Sequence, residues 1–340
     1  MEPEESSSPQ SEKSEKPRGE KSRVLTALSA LALPVVGALS CQVLPRAPEE
    51  AQADVTHGAV HSDQHHFFSR PFKCVSLNAW GKPDYITGMA PSRFEEVARF
   101  LEQEEVDVVA LQEVWFERSR EIFLHLRGVD VAESPFRDSL FLKSGLVTVS
   151  RFPIRESLSY RFTAESGIQA LAEKGALFSA LELPGNETLH VWNIHLQSGN
   201  ESAHIREKQV EELCEWIEAK DDGSPLLVMG DFNCGPGSDA FDRFVLSLQD
   251  KGHIEVSNVG STYDPSLNSF ASGEESLVLD FVVSVTRSPL AGSPRFDRIF
   301  DEDDLVSDHF GIFSQMSFTE RRETPLAVAK WVDTPEEPKE

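Results

Sequence analysis

Short apolar runs of strand length recur along this chain, and several stop on a polar side chain that packing does not need. Phe72 to Leu77 delivers Asn78, and Val106-Asp107-Val108-Val109-Ala110-Leu111 stops at Gln112-Glu113. Leu189 to Leu196 carries Asn193 and His195, Leu226-Leu227-Val228-Met229 runs into Gly230-Asp231-Phe232-Asn233, and Ser307-Asp308-His309 precedes Phe310-Gly311-Ile312-Phe313. Apolar runs of roughly four to eight residues bounded by turn formers read as buried strands. A carboxylate just past such a strand is badly placed for a core and well placed to hold a divalent cation at a sheet rim. These positions extend from residue 78 to residue 309, so they meet only if that whole stretch is one domain. The 340 residues, 39% of them hydrophobic, are enough for one large core.

Between the strand-like runs lie a few helical stripes. Ser92 with Glu95 three residues on forms a capping box before Phe94, Val97, Ala98 and Leu101. Val210, Leu213, Cys214 and Ile217 mark a second helix, and Ser238 caps a third with Phe241, Phe244, Val245 and Leu248 on its buried face. Pro184-Gly185-Asn186-Glu187 between apolar runs predicts a hairpin, and Leu277 to Val285 is a strand interrupted by one charge, Asp280. Strands outnumber helices and hairpins mix with crossovers. The expected class is α+β, with two packed mixed β-sheets flanked by helices.

The flanks read differently. Residues 1–23 are rich in Glu, Ser, Lys and Pro and are expected to be disordered, as is the Pro- and Glu-rich tail at 319–340. Residues 24–45 carry no charge and follow Lys21 and Arg23, which predicts a signal or membrane-anchor segment: anchored or exported, or secreted after cleavage. Ser40-Cys41 faintly resembles a lipoprotein cleavage site, but Ala38 stands where a larger aliphatic is preferred. Residues 46–70, with His57, His61, His65 and His66, read as a solvated linker, leaving 71–318 as the catalytic domain. A net charge of -25 disfavours broad adhesion to nucleic acid or an anionic membrane, yet a bound cation reverses the local sign, so a phosphodiester remains an admissible substrate. The four cysteines have no close spacing that would signal a zinc site or disulfide framework.

The polar strand ends supply a phosphoesterase. Mg²⁺ takes oxygen ligands from one or two carboxylates and keeps places for phosphate and water; Glu113 is the natural ligand, with Asn78 as a carbonyl donor. A histidine near neutrality is the usual acceptor of the proton of an attacking water, and His309 beside Asp308 is the candidate. His195 is expected to donate to a phosphate oxygen, with Asp280 fixing its tautomer. Asp231 is expected to orient the water or complete the ligand shell, and Asn233 to donate an amide hydrogen bond to the phosphoryl group. Taken singly, Asp231-Phe232-Asn233 is a turn former, His195 a core histidine and Glu113 a helix cap. Together, in this order, packing does not account for them.

Leu77-Asn78, Leu111-Gln112-Glu113, His195-Leu196, Gly230-Asp231-Phe232-Asn233, Leu279-Asp280-Phe281 and Ser307-Asp308-His309 resemble the endonuclease/exonuclease/phosphatase superfamily that includes pancreatic-type deoxyribonuclease. The resemblance implies a deoxyribonuclease-like four-layer sandwich over residues 71–318. Asn78-Ala79-Trp80-Gly81-Lys82-Pro83, Gly145-Leu146, Ser150-Arg151-Phe152-Pro153-Ile154, Lys174-Gly175, Asn193 to Gln197 and Arg206-x-x-Gln209 are similar to neutral sphingomyelinases and inositol phosphosphingolipid phospholipases. That likeness implies hydrolysis of a phosphosphingolipid at a membrane surface, yielding ceramide and a phosphorylated headgroup, with Mg²⁺ as cofactor and Mn²⁺ as a substitute. It places Glu113 and Asn78 on the metal and Asp308 in support of His309 or in the ligand shell. Lys174, Asn233, His195 and Asn268, the last in the Thr262-Tyr263-Asp264-Pro265 loop, fall on the substrate side. Ser198-Gly199-Asn200 and Ala79 depart from the pattern and put the headgroup in doubt. An exported metal-dependent endonuclease or another phosphodiesterase is the alternative. An inositol polyphosphate phosphatase lacks support, with no Cys-Asp-Arg signature near the domain end, and a binding module without catalysis would have lost one of Glu113, Asp231, Asn233 or His309.

Overall fold

The structure is a computed structural model and describes residues 49–58, 70–82, 92–135, 144–165, 173–286, 294–301 and 304–317. In chain order the strands begin with β1 Glu49–Gln52, β2 Asp54–Thr56, β3 Phe72–Asn78, β4 Val108–Gln112 and β5 Asp130–Glu133. They continue as β6 Val147–Ser150, β7 Ile154–Arg161, β8 Gly175–Leu183, β9 Glu187–His195 and β10 Leu226–Asp231. The last are β11 His253–Val256, β12 Asp280–Thr286, β13 Arg295–Ile299 and β14 Gly311–Met316. Four α-helices, α1 Arg93–Gln103, α2 Glu117–Leu124, α3 Ala203–Lys220 and α4 Asp239–Ser247, and a 3-10 turn at Asn200–Ser202 complete the described elements.

The strands form two seven-stranded mixed sheets, ordered β1-β7-β8-β9-β10-β12-β11 and β13-β14-β3-β4-β6-β5-β2. In the first, β9 and β10 are parallel because α3 returns the chain across the sheet; in the second, α1 does the same for β3 and β4. One strand of each parallel pair, β4 and β10, is buried along its whole length, which is why it reads as a continuous apolar run rather than an alternating one. Cys74, Ala110, Leu177, Val191, Leu227, Met229 and Ile312 pack between the sheets. Trp192, Leu213, Phe232 and Phe244 fill the space under α3 and α4, and Val75, Phe94, Leu101 and Phe123 that under α1 and α2. Each such side chain contributes roughly 1.5–3 kcal/mol on burial. The result is the expected helix, sheet, sheet, helix order.

Three expectations change. Ser92 makes no side-chain capping bond; α1 starts instead with the backbone bond from Glu96 N to Ser92 O at 3.1 Å. The stretch expected to be a linker supplies β1, paired with β7, and β2, paired with β5, so residues 49–56 close one edge of both sheets. Their composition hid this, because an edge strand needs backbone partners and little apolar content. His57 belongs to this strap, its Nδ1 2.8 Å from the buried Asp130 carboxylate, whereas His61, His65 and His66 lie outside the described residues. Asp280 does not interrupt a strand but opens β12, and Leu277 only bridges to Tyr263. Residues 24–45 lie outside the described residues; no described helix is long and apolar enough to cross a membrane.

Candidate active site

The site begins with a single register row in the first sheet. Asp231, the last residue of β10, pairs with His195 on β9 and with Asp280 on β12. β12 runs antiparallel to β10, so its first residue lies at the same rim as the last residues of β9 and β10. Gly230 holds φ 144°, and a Cβ there would stand 2.1 Å from Ile194 O, so only glycine lets β10 pass so close to β9. Gly175 pairs with His195 and places Lys174 beside it: Lys174 Nζ lies 2.6 Å from His195 Nε2, both side chains buried. His195 Nε2 also stands 3.4 Å from Asp231 Oδ2 and 3.9 Å from Glu113 Oε1.

The second sheet meets this row from the other side. Asn78 ends β3 opposite Gln112, and Glu113 turns out of β4 at φ 60°. Asn78 Nδ2 donates to Asp231 Oδ2 at 3.0 Å, which ties the two rims together. Gly81 N donates to Glu113 O at 2.9 Å, an approach that a Cβ on Gly81, 2.0 Å from that oxygen, would forbid. Ser307 Oγ donates to Asn78 O at 2.6 Å, and His309 N donates to Ser307 Oγ at 3.2 Å, which brings Asp308 and His309 over the row. His309 Nδ1 is 2.8 Å from Asp280 Oδ2, and the Tyr263 ring packs edge-on against the imidazole with centroids 5.1 Å apart.

Asn78, Glu113, Lys174, His195, Asp231, Asn233, Asp280, Asp308 and His309 therefore converge, with two corrections of detail. Asp280 orients His309 rather than His195: Asp280 and His195 flank Asp231 on opposite sides, two strand spacings or roughly 9.5 Å apart. Asn268, expected on the substrate side, is fully buried and engaged in the protein, its Nδ2 donating to Ser307 O at 2.9 Å and its Oδ1 accepting from Phe270 N at 3.0 Å. Asn233 sits at φ 51° with one amide hydrogen bonded to Leu196 O at 2.9 Å, which leaves its second N–H for a ligand. Arg206 and Gln209 brace the loop after β9 through Gln197 and Gly199.

One supporting residue escaped the sequence reading, and a second, Thr262, was placed only in a substrate-side loop by resemblance. Arg93 is buried and donates to Ala79 O, Trp80 O and Val306 O, joining the loops that carry Asn78 and Asp308. A buried arginine on an otherwise apolar helix face was the available signal. Thr262 Oγ1 accepts from Leu279 N and Asp280 N at 3.0 and 3.1 Å and so fixes the start of β12. The resemblance marked its loop, but not this bond to Leu279, 17 residues on.

Burial and charge divide the titratable groups. Burial alone would hold His309 neutral, but the Asp280 carboxylate, with Asp231 and Asp308 behind it, raises its pKa well above the ordinary value. His195 goes the other way: burial, then Lys174 and His309, push it well below. Burial and the neighbouring Asp280 raise Asp231 to about 7, and burial raises Asp308 to about 6. Burial lowers Lys174 against the pull of Glu113 and Asp231. Groups displaced in opposite directions within one cleft mark a site poised for proton transfer.

The donor set fits a hard cation. Glu113 Oε2 is buried with no hydrogen-bond partner, as is Asp280 Oδ1, and a carboxylate oxygen left so is costly unless something positive meets it. Asn78 Oδ1 accepts from Trp80 N and keeps a second lone pair. Ligand atoms of Asp231, Asp280 and His309 also lie within 4.8 Å of one another. That triad is the poorer home, because Asp280 already holds His309 through Nδ1 and favours its protonated, non-ligating form. Glu113, Asn78 and Asp308 offer oxygen alone, the choice of Mg²⁺.

Among curated proteins, the inositol phosphosphingolipids phospholipase C of Schizosaccharomyces pombe is 25% identical over 293 residues, covering 72% of this chain and 68% of that protein. Human sphingomyelin phosphodiesterase 2 is 29% identical over 50% of this chain and 42% of its own length, and Staphylococcus aureus phospholipase C is 25% identical over 42% and 46%. The chain thus spans less than half the length of the human and staphylococcal relatives. Among solved structures, S. aureus beta toxin with bound magnesium ions superposes with a TM-score of 0.58 at 18% identity, covering 72% of this chain and 99% of that one. An endonuclease/exonuclease/phosphatase from Bacteroides vulgatus does so with 0.58 at 16%, covering 73% and 99%. These likenesses confirm the deoxyribonuclease-like sandwich. With residues 75–309 matching the endonuclease/exonuclease/phosphatase family over most of the domain just described, the chain belongs to that family.

Proposed function

We propose that the chain is a Mg²⁺-dependent phosphoric diester hydrolase of phospholipase C type, acting at a membrane surface on sphingomyelin or a related phosphosphingolipid. The observation that carries this reading is the Asp280–His309 pair at 2.8 Å facing a rim on which Glu113 Oε2 has no partner. Glu113, Asn78 and Asp308 would hold Mg²⁺, or Mn²⁺ in its place, whose charge there would polarise phosphoryl oxygens and offset the carboxylate field that keeps His309 protonated. Neutral His309 then takes a proton from the attacking water on the ring nitrogen turned away from Asp280. Asp280 fixes the Nδ1–H tautomer and stabilises the imidazolium that forms. Asp231, held by Asn233 N and Asn78 Nδ2, orients that water.

The Lys174–His195 pair offers a donor to the phosphate oxygens as charge accumulates, and the free N–H of Asn233 a second. The water oxygen bonds to phosphorus, the bond from phosphorus to the ceramide oxygen breaks, and a proton passes to the departing oxygen. The products are ceramide and a phosphorylated headgroup. The names of the yeast and human relatives support a sphingolipid substrate, and residues 24–45 support delivery to or across a membrane.

A substrate panel in mixed micelles tests the proposal: sphingomyelin, inositol phosphoceramide and plasmid DNA, each with Mg²⁺ and with chelator. Metal-dependent release of a phosphorylated headgroup from a sphingolipid is expected. Cleavage of DNA with no sphingolipid turned over would replace it with the endonuclease alternative.

A further inference from the structure

One cation at the mouth of the site has no part in the scheme above. Lys82 follows Gly81, whose backbone rests on Glu113 O, and Lys82 N closes a tight turn on Trp80 O at 2.7 Å. The exposed ammonium stands over the Trp80 ring, 5.3 Å from its centroid. The other neighbour of that indole is Phe270, with ring centroids 6.4 Å apart and a 50° tilt. Phe270 is set by Asn268 in the loop whose Tyr263 packs against His309. The cluster therefore bridges from the Glu113 side of the cleft to the His309 side. Its charge is felt on both: Lys82 favours the ionised form of Asp308 and disfavours that of Lys174.

We propose that Lys82, Trp80 and Phe270 form the headgroup subsite and that it selects a hydroxylated, ammonium-free headgroup, a polyol such as inositol, over choline. This rests on the sphingolipid reading of the site. An aromatic face attracts one cation at a time, and here the chain's own ammonium already occupies the Trp80 face. A trimethylammonium group would have to displace Lys82 and then bear its repulsion. A polyol meets no such conflict. Its hydroxyls accept from the three ammonium donors while its C–H edge lies against the Trp80 and Phe270 rings.

The test compares kcat/KM for inositol phosphoceramide and sphingomyelin in the same micelles, for the full chain and for its Lys82→Glu and Lys82→Met variants. Lys82 is exposed, and far-ultraviolet circular dichroism checks that both variants fold. The unaltered chain is expected to prefer inositol phosphoceramide about tenfold. Lys82→Glu should reduce that ratio by about tenfold or more, mainly through KM, with Lys82→Met between the two. A preference for sphingomyelin in the unaltered chain, or a ratio unchanged by Lys82→Glu while both lipids are cleaved, overturns the subsite and leaves the hydrolase. Turnover of neither lipid overturns the sphingolipid reading, and the subsite with it.

Discussion

The two rims that meet at the site are built on opposite principles. On the first sheet, His195, Asp231 and Asp280 lie in one paired row, and their side chains are spent largely on protein partners: Lys174 for His195, Asn78 and Asn233 for Asp231, His309 for Asp280. On the second sheet, Glu113 leaves its strand in a left-handed conformation with a buried oxygen that has no hydrogen-bond partner among the described residues. A row braced from within, with only Asp280 Oδ1 left without a partner among the described residues, is fixed in geometry, as proton transfer requires. A carboxylate left open waits for an external charge. The contrast teaches that the division of labour between base and ligand follows from hydrogen-bond satisfaction more than from residue type, since both rims carry carboxylates.

Breaking the satisfied row should cost most. His309→Ala is expected to lower kcat by about 10³-fold with the circular dichroism spectrum unchanged, because the proton acceptor is gone; a kcat within a few-fold of the original would remove His309 from the mechanism. Asp280→Asn should lower kcat by about 10²-fold. The asparagine no longer carries the charge that raises His309, so the imidazole pKa must fall. The acidic limb of the kcat profile, and the His309 titration followed by NMR, should both move to lower pH. A limb that stays in place while His195 titrates differently would restore Asp280 to His195.

Opening the other rim sharpens the contrast from its own side. Glu113→Gln should raise the Mg²⁺ concentration for half-maximal activity by about tenfold or more, equivalent to about 1.4 kcal/mol, with a smaller change in kcat at saturating metal. An unchanged Mg²⁺ titration would deny Glu113 the cation. The smallest effect is expected at Asn268, which ties the Tyr263 loop to Ser307 from a fully buried position. Asn268→Ala should destabilise the domain by about 1–3 kcal/mol in urea unfolding and change kcat only through the seat of His309. A rise in KM at unaltered stability would mean that Asn268 meets the substrate after all.

The central strands and the site residues at their ends were legible because a strand buried on both faces leaves a continuous apolar run, and a polar residue closing such a run stands out against it. β1 and β2 were not, since an edge strand is held by backbone bonds that composition does not record. The Ser92 cap failed for a related reason: the pattern Ser-x-x-Glu is present, but Ser92 itself is helical in φ and ψ, and its side chain makes no capping bond. Arg93 was missed, and the bracing contact of Thr262 with it, because each bonds to backbone atoms remote in the chain.

By itself, then, the sequence determined that a set of carboxylates, amides and histidines would stand at one rim of a two-sheet sandwich, since strand periodicity and the order of the motifs follow from local chemistry. Tertiary structure alone decided which of them touch. Asp280 serves His309 because register sets it on the far side of Asp231 from His195, and His309 reaches it from the other sheet. Pairing across sheets depends on spacings of a few ångströms between segments far apart in the chain, and no local pattern encodes those.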